Sequence, residues 1–302
     1  MLQFRLALCI VQISMKALIL ALSLLSMIEA NPADAIEVQG HRGARAVLPE
    51  NSLPGLKHAL ELGVDTLEFD MGVSKDGVVV VLHDQKINPV ICQYKDGSAI
   101  EQDLWVHQLS LEQIKQFDCG SKKNPRFERQ VTIAGTEIPT LAEVFEMVAN
   151  SGLANAKTVA FNIETKSDPS KPHAQPAAED FVKAVLKVVQ QYGLASRVTL
   201  QSFDPATLIA ANEIAPDLQL AALFKDKPED WLAAAESVGA DIISPHHSLL
   251  GRRDVEQIQE AGLAVIPWTA NSKRQWARLI KLGVDGIITD DPEALLKYLE
   301  RG

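Results

Sequence analysis

Glu68 and Asp70 stand one residue apart in Thr66-Leu67-Glu68-Phe69-Asp70-Met71-Gly72-Val73. Strand geometry aims positions i and i+2 at the same side, so the two carboxylates face one way and Leu67, Phe69 and Met71 the other. Such a pair belongs inside a barrel or a cleft. Buried like charges repel, and a bound cation or a salt-bridging side chain must compensate them. Asn162-Ile163-Glu164-Thr165-Lys166 repeats the pattern, with Glu164 and Lys166 aimed alike. Three carboxylates with no cysteine or histidine-rich spacing nearby suit one hard, oxygen-preferring divalent cation, Mg²⁺ or Ca²⁺, rather than zinc.

His41, in Gly40-His41-Arg42-Gly43, and His83, in Leu82-His83-Asp84, flank that acidic set. Histidine is the side chain best matched to giving and taking protons near neutral pH. Arg42 and Lys166 add the positive charge that, beside a metal, a phosphate requires. Taken singly, Gly-His-Arg-Gly reads as a core turn and Glu68 as a salt-bridged core residue. A purely structural core has no need to gather three acids, two histidines, an arginine and a lysine at separate strand ends. Together they describe metal-assisted phosphodiester cleavage.

The elements that must position these residues announce themselves by repetition. Leu62-Gly63-Val64-Asp65, Val238-Gly239-Ala240-Asp241 and Leu282-Gly283-Val284-Asp285 each look like a helix stopped by glycine before an apolar strand. Tyr192-Gly193-Leu194 and Ala261-Gly262-Leu263 are looser copies. Apolar runs predict eight strands, near 36–40, 66–73, 158–164, 198–202, 218–223, 241–244, 264–268 and 286–289. Helical periodicity lies between most of them, as over 177–192, 254–261 and 272–282. The expected fold is a TIM (β/α)8 barrel spanning 36–302, with a doubly wound open sheet as the alternative. The 84–137 stretch is too long for a βα loop and is expected to be a small inserted subdomain after the second strand region.

In such a barrel the catalytic groups gather at the carboxyl ends of strands. Phe203 and Trp268, at the ends of strands four and seven, are candidates for a wall of the substrate pocket, against a packing role. His246 and His247, at the end of strand six, are weaker candidates; loop histidines explain them as well.

Residues 1–35 read as a secretory signal peptide: Lys16, the apolar run Ala17 to Ile28, and the small-x-small site Ala33-Asp34-Ala35. Met15 looks like the functional start, which makes 1–14 an upstream extension; an uncleaved anchor helix is the alternative, though the run is short for a bilayer. The expected location is periplasmic or secreted. Of the 302 residues, 47% are hydrophobic, enough for a large core, and the net charge is −10. Because residues 1–35 hold two basic and two acidic side chains, their removal leaves that charge unchanged. An acidic chain of this kind is not built for nucleic acid. In an oxidising compartment Cys92 and Cys119, the pair left after Cys9 is removed, are expected to form a disulfide rather than two free thiols. Its loop closure would contribute about 3.6 kcal/mol on the chain-entropy model.

His41-Arg42-Gly43, Pro49-Glu50-Asn51, Leu67-Glu68-Phe69-Asp70, Lys75-Asp76-Gly77 and His83-Asp84 resemble the signature of the glycerophosphodiester phosphodiesterase family. Ile138-Pro139-Thr140-Leu141, Asn162-Ile163-Glu164-Thr165-Lys166, Gln201-Ser202-Phe203-Asp204 and Trp268-Thr269 extend the likeness over nearly all of the chain past residue 35. Ser52 and Met71 depart from its usual threonine and valine, away from the chemistry. The resemblance implies a TIM barrel with an insertion after the second histidine. It implies Glu68, Asp70 and Glu164 as metal ligands, His41 and His83 as paired general base and acid, and Arg42 and Lys166 as phosphate-contacting cations. It implies hydrolysis of glycerophosphodiesters, such as glycerophosphocholine or glycerophosphoethanolamine, to glycerol 3-phosphate and an alcohol, through attack of the substrate's own 2-hydroxyl on phosphorus.

Three other functions compete with that expectation. A lysophospholipase D-like or phospholipase D-like barrel, or a lyase releasing a cyclic phosphate, would be marked by an apolar membrane-facing loop. The 84–137 stretch instead carries Lys122, Lys123, Arg126, Glu128 and Arg129. A non-catalytic periplasmic phosphodiester-binding protein would have lost a histidine or an acid, and both histidines and all three acids are present. A sugar isomerase barrel would need more carboxylates and a histidine about its metal.

Overall fold

The computed structural model describes residues 36–301; the expected signal peptide lies outside the described residues. Eight parallel strands make the wall: β1 Glu37–Gly40, β2 Thr66–Val73, β3 Ala160–Thr165, β4 Val198–Ser202, β5 Gln219–Phe224, β6 Ile242–Pro245, β7 Ala264–Val265 and β8 Gly286–Thr289. Each pairs with its neighbour in sequence from β1 to β7, and β8 returns to β1 with Glu37 opposite Gly286. The result is a nearly closed TIM barrel.

The seventh strand is shorter than the sequence pattern predicts. Pro267 has no N–H to give β8, and Pro245, which ends β6, has none to give β7, so regular pairing stops at Val265. Ile266 N–H nevertheless donates to Ile243 O at 3.1 Å and Trp268 N–H to Pro245 O at 3.0 Å. Carbonyls still close the seam: Asp285 N–H donates to Val265 O and Ile288 N–H to Pro267 O, both at 3.0 Å.

The helices cover the wall for reasons visible in their sequences. Ala178–Gln191 buries Phe181, Val182, Val185, Leu186 and Val189, a single stripe at helical spacing, and opens with Glu179 and Asp180 at its positive end. Lys273–Leu282 starts at Ser272, whose hydroxyl accepts from Gln275 N–H, and buries Trp276 and Leu279. Gly283 ends it at φ 82°, where a side chain would be strained.

The aspartate that closes each copy of the repeated unit has a structural task that composition does not reveal. Asp65, Asp241 and Asp285 each accept from the N–H of the second residue of the preceding strand: Val38 at 2.8 Å, Leu220 at 2.9 Å and Val265 at 2.7 Å. A carboxylate thereby finishes the amino end of β1, β5 and β7 where no partner strand reaches.

Residues 84–137 hold a two-stranded antiparallel pair, Gln93–Tyr94 with Phe117–Asp118, and a short helix, Leu111–Ile114. Ile87, Ile100, Val106, Ile114 and Phe117 pack with Val80, Leu82 and Ile138, so their core is continuous with the Val79–Val81 strand that folds back on β2. Cys92 and Cys119 are joined by a disulfide inside this cluster. None of the described helices is long and apolar enough to cross a membrane.

Asp285→Ala is expected to cost about 1–2 kcal/mol in urea unfolding, because it leaves Val265 N–H without its acceptor. A loss under about 0.3 kcal/mol would show that water replaces the carboxylate there.

Candidate active site

The register of two strands assembles the acidic set. β2 pairs with β3 so that Asp70 lies opposite Glu164 and Glu68 opposite Asn162. All three carboxylates are buried, Asp70 completely, and one oxygen from each lies within 4.8 Å of the others. Glu68 accepts from Arg42 N–H at 2.9 Å and from Gln201 Nε2 at 2.7 Å. Asp70 Oδ2 accepts from Asn51 Nδ2 at 2.8 Å and pairs with Arg42 Nε at 3.1 Å. Glu164 is held by Lys166 Nζ at 2.6 Å. Asp70 Oδ1 is buried with no hydrogen-bond donor; Lys166 Nζ is 3.7 Å away.

Burial, with Asp70 and Glu164 alongside, pushes the Glu68 pKa well above the ordinary carboxylate range. Burial raises Glu164 too, against the pull of Lys166. Burial opposes the ionised form of Asp70, but Arg42, His83 and Lys166 overcome it and hold its pKa far down. The trio is therefore short of positive charge. A buried, three-carboxylate cage with an unpartnered oxygen fits a hard divalent cation, with Glu68, Asp70 and Glu164 as its protein ligands.

The turn after β1 supplies both a guanidinium and a histidine. Arg42 adopts φ 51°, which turns its N–H to Glu68 while its guanidinium spans Asp70 and Glu50, the latter at 2.7 Å. A Cβ on Gly43 would meet the Gly55 backbone at 2.6 Å, so only glycine lets the turn lie against the helix Leu53–Leu62. Arg45 shares Glu50 at 2.8 Å.

His41 Nδ1 lies 2.5 Å from Asp290 Oδ1, just past β8, and Asn271 Nδ2 holds the other Asp290 oxygen at 2.7 Å. Burial lowers the His41 pKa, with Asp290 pulling the other way. Asp290 itself sits at about 2: His41 and Arg45 overcome the effect of its burial. His83 Nδ1 lies 2.7 Å from Asp84, which Asn88 orients at 2.7 Å. With each Nδ1 on a carboxylate, each ring keeps Nε2 for chemistry.

His41, Arg42, Glu68, His83, Glu164 and Lys166 line one cavity of about 360 Å³, together with Phe203 and Trp268. The two aromatic rings meet edge to face at 5.3 Å, and Trp268 Nε1 is fixed on Ser244 O at 2.9 Å. Asp70 lies behind this surface. His246 does not line the cavity; its Nδ1 bonds Ser248 Oγ at 2.7 Å and its ring packs against Trp268. Asn51, Gln201, Glu50 and Asp290 support the site without having been assigned roles from the sequence. Asp290 carried a signal, since it is a polar residue at the carboxyl end of the eighth strand.

A family model described as the glycerophosphoryl diester phosphodiesterase family matches residues 41–294. A glycerophosphodiester phosphodiesterase of Caldanaerobacter subterraneus subsp. tengcongensis is 34% identical over 266 residues, covering 88% of this chain and 98% of that protein. The solved structure of a Silicibacter pomeroyi DSS-3 protein assigned to the same enzyme class superposes with TM-score 0.82 at 31% identity, covering 88% of this chain and 93% of that one. An Oleispira antarctica phosphodiesterase solved with the product sn-glycerol-3-phosphate has the same fold, with TM-score 0.72, 24% identity, and coverage of 89% and 98%. On the extent of that family match and the identity to a full-length relative, the chain belongs to the glycerophosphoryl diester phosphodiesterase family.

Proposed function

We propose that this phosphodiesterase hydrolyses glycerophosphodiesters with one divalent cation, Mg²⁺ or Ca²⁺, held by Glu68, Asp70 and Glu164. The observation that carries the reading is the buried trio, within 4.8 Å, of which Glu68 and Glu164 line the cavity shared by two carboxylate-bound histidines and Asp70 lies just behind it. When bound, such a cation supplies positive charge at a phosphoryl oxygen. Arg42 and Lys166 add to that charge from the side of the cage, where Glu50, Asp70 and Glu164 hold them in place.

His41 is the base. Its burial keeps the ring neutral, Asp290 accepts its Nδ1–H, and Nε2 is left to take the proton of the substrate's 2-hydroxyl. His83, on the same cavity, gives a proton from Nε2 to the departing alcohol oxygen, with Asp84 holding its Nδ1. Water then opens the resulting cyclic phosphate with the two roles exchanged, which yields glycerol 3-phosphate. Phe203 and Trp268 wall the glycerol side. The reading includes export, which the apolar run Ala17 to Ile28 and the Cys92–Cys119 disulfide support.

Chelation by EDTA is expected to abolish glycerol 3-phosphate release and added Mg²⁺ or Ca²⁺ to restore it; full activity in EDTA contradicts the metal role. His41→Ala and His83→Ala are each expected to lower kcat by about 10²–10⁴-fold. Near-normal turnover in either variant removes that histidine from the mechanism.

Because the folded His41 pKa is depressed, its neutral form survives to lower pH than that of a free histidine. The acid limb of kcat/KM is therefore expected below pH 6.5, and a limb above that value contradicts the assignment of His41 as base. Asp290→Asn is expected to reduce kcat by about 10²-fold or more, because an amide can hold the ring in the wrong tautomer. Unchanged kcat would reduce Asp290 to a packing residue.

A further inference from the structure

Two cations on the catalytic cavity are not used by the site described above. Arg42 pairs with Glu50 and Asp70, Arg45 with Glu50, and Lys166 with Glu164 and Asp70. Arg126 and Lys225 line the same cavity, and neither side chain has a carboxylate partner among the described residues. A phosphodiester brings one negative charge.

Their placement separates them. Lys225 follows β5, with Nζ 4.8 Å from the Phe203 ring centre. Arg126 comes from the 84–137 stretch on the β1 side: the neighbouring Phe127 lies under the Arg45 guanidinium at 4.7 Å. Its backbone is anchored there too, since Arg126 N–H donates to Asn124 Oδ1 at 3.1 Å and Asn124 Nδ2 donates to Glu50 at 3.2 Å. In an eight-stranded barrel β1 and β5 face each other, so the two cations approach the cavity from opposite walls. The Phe203 face, which a quaternary ammonium would seek, is already occupied by Lys225.

We infer that Arg126 and Lys225 select glycerophosphodiesters whose alcohol carries an anionic group of its own, such as a carboxylate, over those whose alcohol is only cationic. The inference rests on the glycerophosphodiester reading given above and names the substrate class of that same site. The phosphodiester's single charge falls to Arg42, Lys166 and the carboxylate-held cation, so the positive field of Arg126 and Lys225 is left for the second anion.

Glycerophosphoserine and glycerophosphoethanolamine differ by one carboxylate and provide the test. With added divalent metal, kcat/KM for the serine compound is expected to exceed that for the ethanolamine compound by about tenfold or more, the scale of one charge-assisted hydrogen bond. The difference should lie mainly in KM and shrink as salt is raised. Arg126→Gln and Lys225→Gln are each expected to lower the ratio, and the double variant to bring it near one. Lys122→Gln, a charge removed from the same segment but outside the cavity, should leave it unchanged. Equal kcat/KM for the two substrates in the unaltered protein overturns the inference. So do glutamine variants that slow both substrates equally, because both cations then serve the phosphodiester alone. Release of glycerol 3-phosphate from neither substrate overturns the glycerophosphodiester reading itself, an outcome distinct from release without preference.

Discussion

Three carboxylates buried side by side are the constraint on which the rest of this site is built. The pairing of β2 with β3 brings Asp70 opposite Glu164, and the two-residue period adds Glu68 on the same inward side. Mutual repulsion and burial oppose their ionisation together, so every surrounding element delivers a donor or a cation. Asn51 and Gln201 bring amides, the turn after β1 brings a backbone N–H and a guanidinium, and β3 brings its own lysine. Even so, Asp70 Oδ1 has no donor. That shortage is why the trio suits a divalent cation.

The histidines are positioned by the same logic at one remove. Arg45 and Arg42 share Glu50, while Arg45 also approaches Asp290, which orients His41. The two histidines and the carboxylate cage are thus parts of one charge network. Changing a member on one side of the cavity should be felt on the other.

Much of the fold was legible because it repeats. Eight apolar runs and five glycine helix stops specify alternating units, and all eight strands lie where the runs are. The seventh is cut short by Pro245 and Pro267, a local effect that hydrophobic periodicity does not weigh. The acidic trio and both histidines were legible from spacing and from strand-end position. What stayed hidden is contact at long range. Asp290 is 249 residues from His41, and Gln201 is 133 from Glu68. No local pattern encodes those pairings; barrel closure creates them. Arg126 was legible only as one charge in a basic stretch. Its place on the cavity depends on the Asn124–Glu50 bond and on Phe127 beneath Arg45.

Titration of the metal-stripped protein with Mg²⁺ or Ca²⁺ in a calorimeter tests the central claim most directly, because it reads the charge shortage of the cage without depending on turnover. One ion per chain is predicted, with affinity weakened by more than about 100-fold when Glu68, Asp70 or Glu164 is replaced by alanine. Saturable binding that survives loss of both Glu68 and Asp70, or no binding by the unaltered protein, would contradict the account.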